Sequence, residues 1–437
     1  MSHPKFSIVI PTRNRAQTLQ YSIKTCLNQD FEDFEIIVSD NFSTPETQQT
    51  VEKFNDDRIV FVRTNQPIAM SKNWEYAISH IHGDYVILIG DDDGLLLNSL
   101  SHLDKIIDST NRDVIRWDWI LYYWPDFFMK NTAGKIYIPI NNCVSELNST
   151  EIIKKVANYE LHYTTLPMLY NSAVHNSILK KIKGKTGIFF NSQTPDVYSG
   201  FVIAKSVKNY LSISTPLNIA GLSKSSNGAA QLYTNQKSNI NEDFIDLNKK
   251  AGLTWYANVP PINVLPAIIA DSYFHAKDKL FPDEESVIDY KRLLKNCVKE
   301  VMNFQQVQDK DLDKIKAQCI NSPELMDFIE SEYSKNLIYS KNKLILKQIL
   351  LKFFGEYSKY KNLVISNTVE INLKSLGILN IYDATEFLKY CHFPEDLHNA
   401  NSKFFMKKLY NNFAIFYDFN RKRKKYCNRK GFALQET

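Results

Sequence analysis

The stretch Tyr85-Val86-Ile87-Leu88-Ile89-Gly90-Asp91-Asp92-Asp93 decides the reading of this chain. Its apolar half is a buried strand, and three carboxylates follow directly at the strand's carboxyl end. Like charges so close repel one another, and an isolated fold has little reason to tolerate that. A divalent cation removes the conflict, and hard oxygen ligands suit Mg²⁺ or Mn²⁺. Taken alone, an acidic triplet is a solvated turn. The preceding strand and the rest of the N-terminal third argue for a site.

Upstream, strands alternate with helices. Phe6 to Ile10 forms a strand stopped by Pro11, and Asn14 is placed to cap a helix with Leu19, Ile23 and Leu27 on its apolar side. Phe34 to Val38 is a second strand, ending in Ser39-Asp40-Asn41. Thr44-Pro45-Glu46 supplies a cap, a first-turn proline and a first-turn acid for the next helix. Ile59 to Val62 is a third strand, and Ser71 is placed to cap the helix carrying Trp74 and Ile78. Such alternation predicts an α/β fold with a mostly parallel sheet and helices on both faces. Ligands of these sheets bind beyond the carboxyl ends of the strands. Thr12, Asp40 and Asp91 to Asp93 should therefore converge on one edge, where a metal and a nucleotide diphosphate would fit. No G-x-G-x-x-G follows the first strand and no G-x-x-x-x-G-K-[ST] occurs anywhere, which disfavours dinucleotide and ATPase readings.

Three blocks carry a resemblance: Phe6-Ser-Ile-Val-Ile-Pro-Thr-Arg-Asn-Arg15, Ile36-Ile-Val-Ser-Asp40-Asn-Phe-Ser43, and Gly83 to Asp93. In order and spacing they resemble the family 2 glycosyltransferases of GT-A (Rossmann-like) fold, over roughly residues 5 to 225. The resemblance implies that Pro11, Thr12 and Arg13 line the nucleotide pocket and that Asp40 reads the base, usually uracil. It places Asp91 near the ribose and Asp92 on a Mn²⁺ or Mg²⁺ bridging the diphosphate. Many members carry an acid where this chain has Gly90, so Asp93 is a second candidate metal ligand. An inverting, single-displacement reaction with one carboxylate base is implied, the base lying near the start of a helix well downstream. Asp196, in Thr194-Pro-Asp-Val-Tyr-Ser-Gly200, has that location, although Pro-Asp is also an ordinary helix start. The family's common Glu-Asp pair is absent here.

Transfer of a sugar leaves negative charge on the departing diphosphate, which a cation held by aspartates stabilises. The acceptor hydroxyl needs a general base within reach. Trp117, Trp119, Tyr122, Tyr123 and Trp124 follow or end a predicted strand from Val114 to Trp117; they are either core or a platform for sugar C–H faces. The loop Gly221 to Gly228, with Lys224 in its middle, either closes over the diphosphate or joins domains. His162, His175 and His275 are assigned no role.

With 437 residues the chain should hold two or three domains. The pattern divides it into a GT-A domain, residues 1–235, and a mainly helical C-terminal domain, residues 236–437, of unassigned role. The net charge is +5, and residues 421–430 hold seven positive charges and no acid, leaving −2 for everything else. That basic tail is solvated or meets an anionic membrane surface, where each basic residue contributes about 1 kcal/mol. The helix around Leu344 to Phe354 is either core-facing or on the same surface. Nucleic acid is not an expected partner, since no basic stripe or RNA-binding module supports it. The chain leads from Met1 straight into a strand, with no signal peptide and no apolar run near the ~20 residues that span a bilayer. Six scattered cysteines without zinc spacing fit a reducing cytoplasm.

The expectation is a metal-dependent inverting glycosyltransferase. It would draw on a cytoplasmic nucleotide sugar and serve a saccharide or lipid-linked acceptor in bacterial surface-polysaccharide synthesis (capsule or lipopolysaccharide). The alternatives are a sugar nucleotidyltransferase and a non-catalytic binding or scaffold protein on a decayed transferase fold. Pro11 to Arg15 lacks the glycines of the first, and intact Asp40 and Asp91 to Asp93 weigh against the second.

Overall fold

The structure, a computed structural model, describes residues 3–139, 143–226, 239–303, 309–336 and 368–389. Four strands, β1 (Phe6–Thr12), β2 (Phe34–Asp40), β3 (Ile59–Arg63) and β4 (Tyr85–Leu88), run parallel in the order β3-β2-β1-β4. Helices Ala16–Leu27, Pro45–Glu52 and Met70–Ile78 connect them. Alternate residues serve opposite faces, as a pleated strand requires. Phe6, Ile8, Ile10, Ile36 and Ile87 pack with Leu19, Ile23 and Leu103, whereas Val9, Ile37, Val86 and Leu88 pack with Trp74, Ala77 and Val202.

Beyond β4 the sheet becomes mixed. It continues through β5 (Gly94–Leu95), β6 (Val114–Tyr123), β7 (Lys135–Pro139), β8 (Val144–Asn148), β9 (Ser172–His175), β10 (Asn209–Leu222) and β11 (Thr368–Asn372). Strand β9 lies antiparallel between β4 and β6, and β10 runs parallel to β6. At the far edge β11 adds to β7 in antiparallel register, so a segment of the expected helical region completes the sheet.

Helices do dominate after residue 236: Asn239–Lys250, Leu265–Leu280, Tyr290–Asn303 and Asp309–Ala317. They share one apolar core with the sheet rather than forming a separate one. Val9 and Leu88 belong to the same buried cluster as Tyr273, Leu293, Cys297 and Ile315. Helix Pro195–Ser206 is the intermediary. Val197 to Ala204 are buried throughout, the pattern of a helix enclosed on all sides, and Phe201 meets Tyr273 edge to face at 5.6 Å.

Two expected caps differ. Helix Ala16–Leu27 begins at Arg15, while Asn14 sits at φ 54° and its side-chain oxygen accepts the Thr44 amide at 2.9 Å. Ser71 lies inside the helix Met70–Ile78, and its hydroxyl donates to the Ser192 carbonyl. In both cases a tertiary partner took the polar side chain that local pattern assigned to a cap. Thr44 does precede the helix Pro45–Glu52, with Pro45 and Glu46 in its first turn. The basic tail 421–430, the helix expected around 344–354, Cys391 and Cys427 lie outside the described residues; the other four cysteines are free thiols.

Candidate active site

The parallel strands deliver their last residues to one edge. Thr12 and Asp40 are register partners at the ends of β1 and β2, and the triplet follows β4, the other neighbour of β1. All three aspartates of the triplet are buried, as is Asp40.

The three adjacent carboxylates have three different environments. Asp91 is held through both oxygens: Thr12 Oγ1 donates to Oδ2 at 2.7 Å and the Arg15 guanidinium to Oδ1 at 3.0 Å. Asp93 turns inward, accepting the Gly90 amide at 2.6 Å and the Gly221 amide at 2.7 Å. Asp92 accepts the Ser223 hydroxyl at 2.7 Å and the Ser223 amide at 3.2 Å, both on Oδ2. Its Oδ1 has no donor among the described residues. Burial, then the Asp91 charge, pushes the Asp92 carboxyl up to about 6; burial, then the Asp92 charge, pushes Asp93 up to about 7. One cation, Arg15, stands beside three buried carboxylates, so burial and like charge raise the Asp92 and Asp93 carboxyls.

The space above Gly90 is the pivot of this arrangement. A Cβ there would stand 3.0 Å from Asp93 Oδ2, 3.1 Å from the Tyr170 hydroxyl and 3.2 Å from Asp92 Oδ1. Glycine leaves a small cradle lined by three oxygens. Gly221 is needed for another reason: a Cβ on it would lie 1.8 Å from the Asp92 carbonyl oxygen. Trp124 Nε1 donates to that same carbonyl at 2.9 Å.

At the neighbouring edge, Arg63 at the end of β3 donates to Asp40 Oδ2 at 2.7 Å and to the Ser43 carbonyl at 2.5 Å. The Ser43 amide donates to Asp40 Oδ1 at 2.9 Å. Asp40 is thereby locked in one orientation. Arg13 is ion-paired at 2.7 Å with Asp243, on helix Asn239–Lys250.

Asp196 lies in the first turn of Pro195–Ser206 with no ion-pair partner among the described residues. Burial raises its carboxyl above the ordinary aspartate range, against the opposing pull of the Val197 and Asp196 amides. The Tyr170 phenol, itself raised by burial, feels Asp93, Asp92 and Asp196, and so ties the helix start to the triplet. Asp118, by contrast, is paired with Arg116 at 2.6 Å, and Asp126 faces the Lys224 amide at 3.4 Å.

The aromatic cluster divides. Strand β6 extends through Tyr123, so four of the five lie on the strand rather than after it. Trp117 and Tyr122 are core, Trp124 supports the triplet, and Trp119 stands edge-on to Tyr170 at 5.7 Å. The described part of the 221–228 loop, up to Ser226, closes beneath the triplet through Gly221 and Ser223, while Lys224 is exposed. His162, His175 and His275 find partners in Thr164, Ser177 and Thr254.

Residues 7–180 match the family model described as glycosyl transferase family 2. Over those residues the chain is similar to family 2 glycosyltransferases. A Campylobacter jejuni protein named GalNAc(5)-diNAcBac-PP-undecaprenol beta-1,3-glucosyltransferase is 40% identical to this chain over 103 residues, 23% of this chain and 33% of that protein. An abequosyltransferase of Salmonella typhimurium is 32% identical over 108 residues, 24% of this chain and 32% of its own length. Among solved structures, residues 1–349 of S. aureus TarS with UDP-GlcNAc give a TM-score of 0.46 at 16% identity, over 77% of this chain and 92% of that one. The chain spans about a third of the length of the first two relatives.

Sequence reading of the transferase domain missed Arg15, Arg63 and Tyr170, and it gave Trp124 and the loop holding Ser223 other roles than supporting the triplet. Arg63 ends a strand at the same edge, so the rule that selected Asp40 could have found it. Tyr170 carries no local signal, being brought in only by tertiary contacts.

Among the described residues, no group of three or more histidine, cysteine or acidic side chains is arranged to hold a metal. That donor set still fits Mg²⁺ or Mn²⁺, because ions of this class commonly take one or two carboxylates and complete their shell with water and substrate phosphates. Asp92 Oδ1, unengaged beside the Gly90 cradle, is the oxygen suited to it. No helix among the described residues is long and apolar enough to cross a membrane.

Proposed function

We propose that this protein is an inverting glycosyltransferase. It moves a sugar from a nucleotide sugar, UDP-linked by the family pattern, to a hydroxyl of a saccharide or lipid-linked acceptor in bacterial surface-polysaccharide synthesis. The observation that carries the reading is the split between Asp92, with one carboxylate oxygen unengaged at a crowded anionic edge, and Asp196, a half-buried carboxylate with no ion-pair partner among the described residues.

Asp40, locked by Arg63 and the Ser43 amide, presents its edge to the base, while Pro11, Thr12 and Arg13 line the same pocket. Arg13 exchanges Asp243 for the diphosphate. Asp91, oriented by Thr12 and Arg15, faces the ribose. Asp92, with Asp93 behind it, would hold a Mn²⁺ or Mg²⁺ that neutralises charge on the departing diphosphate. Asp196 takes the acceptor hydroxyl proton as the acceptor oxygen bonds to the anomeric carbon. The bond from that carbon to the diphosphate oxygen breaks with its electron pair, and the configuration inverts. Burial makes Asp196 a stronger base than an exposed aspartate, which suits proton abstraction. Residues 1–235 are the catalytic unit and residues 236–437 the helical one. The latter supports the base-bearing helix, with Thr194 Oγ1 bonded to Ser272 Oγ at 2.9 Å. A cytoplasmic location, with the basic tail 421–430 at the inner face of the cell membrane, matches the lipid-linked substrate named for the Campylobacter relative.

The test is release of free nucleoside diphosphate from a panel of nucleotide sugars with Mn²⁺. UDP release from at least one UDP-sugar, lost in excess EDTA, is expected. Failure with every nucleotide sugar, in a protein that melts cooperatively, would leave the binding or scaffold alternative.

A further inference from the structure

Among the described residues, six other than glycine have positive φ, and four of them are asparagines, which tolerate the left-handed region. The other two are aromatic. Tyr159, at φ 59°, packs against the main core and donates its hydroxyl to the Pro266 carbonyl at 3.0 Å, so its side chain has a structural use. Phe42, at φ 56°, is instead 45% exposed, two residues past the end of β2. A bulky side chain is an outlier in that region, and such strain persists only where the neighbours over-determine the backbone. Here they do. Asn41 Nδ2 donates to the Ile68 carbonyl at 2.8 Å, and Asn41 Oδ1 accepts the Ile68 amide at 2.9 Å. On the other side the Ser43 carbonyl accepts the Arg63 guanidinium at 2.5 Å, and Ser43 Oγ accepts the Asn14 amide at 2.7 Å. Phe42 is the strained link between two pinned residues. The Arg63 guanidinium carbon stands over its ring, 5.3 Å from the centroid, while that same guanidinium grips Asp40 Oδ2 at 2.7 Å.

Resting on the glycosyltransferase reading, we infer that Phe42 is a positioning residue for nucleobase selection: its ring backs the Arg63 guanidinium and so holds the Asp40 carboxylate in one orientation toward the base. A planar guanidinium gains from an aromatic face by cation–π attraction and by exclusion of water on that side. Arg63 is 31% exposed, and without the ring its pair with Asp40 would be the weaker, solvent-screened kind. Each Asp40 oxygen already accepts one bond, Oδ2 from Arg63 and Oδ1 from the Ser43 amide, which leaves a further lone pair on each for a ligand. An ionised carboxylate only accepts. It therefore takes the N3–H of uracil, whereas N3 of cytosine carries no proton and meets it lone pair to lone pair. That discrimination needs a fixed carboxylate, since a loosened one turns toward the cytosine amino group. Glycine or asparagine would suit the backbone at this position better, and the aromatic ring serves the base site.

The experiment uses the full chain, titrated by calorimetry with UDP and with CDP in the presence of Mn²⁺ and melted without nucleotide. The variants are Phe42→Asn, Phe42→Gly, Phe42→Tyr, Arg63→Ala and the double variant Phe42→Asn/Arg63→Ala. Wild type should bind UDP more tightly than CDP. Phe42→Asn suits the left-handed backbone and should melt no lower than wild type, yet bind UDP about three- to tenfold more weakly and lose most of its preference over CDP. Phe42→Gly, which introduces no new polar group, should show the same loss of binding. Phe42→Tyr keeps the ring and should stay within about twofold of wild type. In the Arg63→Ala background Phe42→Asn should bring no further loss, because the ring acts through that guanidinium. Unchanged UDP affinity in Phe42→Asn and Phe42→Gly overturns the assignment, as does a loss that persists in full when Arg63 is absent. So does an affinity that falls only together with melting temperature, which is the mark of a structural role. A wild type that binds UDP and CDP equally also overturns it. A wild type that binds neither overturns the glycosyltransferase reading, and this inference with it.

Discussion

The turn Asp91–Asp93 and the start of helix Pro195–Ser206 both raise aspartate carboxyls above the ordinary range, in different surroundings. At the turn, three carboxylates crowd one edge, Arg15 balances part of their charge, and hydroxyl and amide donors absorb most of the oxygens. At the helix start a single, half-buried carboxylate has no ion-pair partner among the described residues. Crowding of carboxylates favours positive charge nearby, whereas a carboxylate away from cations and partly desolvated holds its proton more tightly. On the proposed reading, the same residue type would serve binding in one place and proton transfer in the other because the surroundings differ. Tyr170, which feels both, is the physical link.

The strongest way to break this contrast is at Asp92. Asp92→Ala should lose both transfer and Mn²⁺-dependent UDP binding, a fall of about 10³-fold or more if several kcal/mol of charge stabilisation go. The fold should survive, since the change relieves like-charge crowding. Nucleotide release and calorimetry check it, and full activity in the variant, or in excess EDTA, would remove the metal from the site.

Asp196→Asn should act on turnover alone. Its loss should be about 10²–10⁴-fold while UDP affinity and melting temperature hold, since asparagine starts a helix almost as well. Because Asp196 must be ionised to accept the proton, and burial raises its carboxyl, the acid limb of kcat in wild type should lie above the ordinary aspartate value of 3.8. Turnover within a few-fold of wild type would send the search to Asp126, or to Asp118 despite its Arg116 partner.

A smaller effect is expected at the base edge. Asp40→Ala should weaken UDP binding by roughly ten- to a hundredfold, the loss of a charged hydrogen bond of about 1.5–3 kcal/mol. Arg63→Ala should weaken it less, through the lost orientation of Asp40. Calorimetry showing unchanged affinity in Asp40→Ala would take that residue out of the pocket.

The subtlest test is the metal-free protein's stability against pH. Asp92 and Asp93 have folded-state values raised from 3.8 to about 6 and about 7, so the fold holds protons that the unfolded chain releases. Their contribution is fully present below pH 3.8 and is lost as pH rises through 6 to 7. In EDTA the melting temperature should therefore carry a downward component between about pH 4 and 7, absent in Asp92→Asn/Asp93→Asn. Added Mn²⁺ should stabilise more at pH 7.5 than at pH 5, since ligands must be deprotonated to bind it. A stabilisation by Mn²⁺ that is independent of pH would separate the ion from these carboxylates.

What the sequence determined by itself was the scaffold and the location of the charge. Strand and helix alternation set the parallel sheet, and the rule that ligands sit past strand ends brought Thr12, Asp40 and the triplet to one edge before any contact was known. These features are legible because they depend on local periodicity and chain direction alone. The tertiary structure decided which oxygen is unengaged and which is bound. Three adjacent aspartates look alike in sequence, yet Thr12, Arg15, Ser223 and the Gly90 and Gly221 amides give them different surroundings. It also decided that the aromatic residues on β6 divide between core and half-buried positions, and that β11 joins the sheet from a region read as helical. Partners such as Ser223, over a hundred residues from Asp92, leave no trace in local pattern because their meeting is set by the packing of the whole chain.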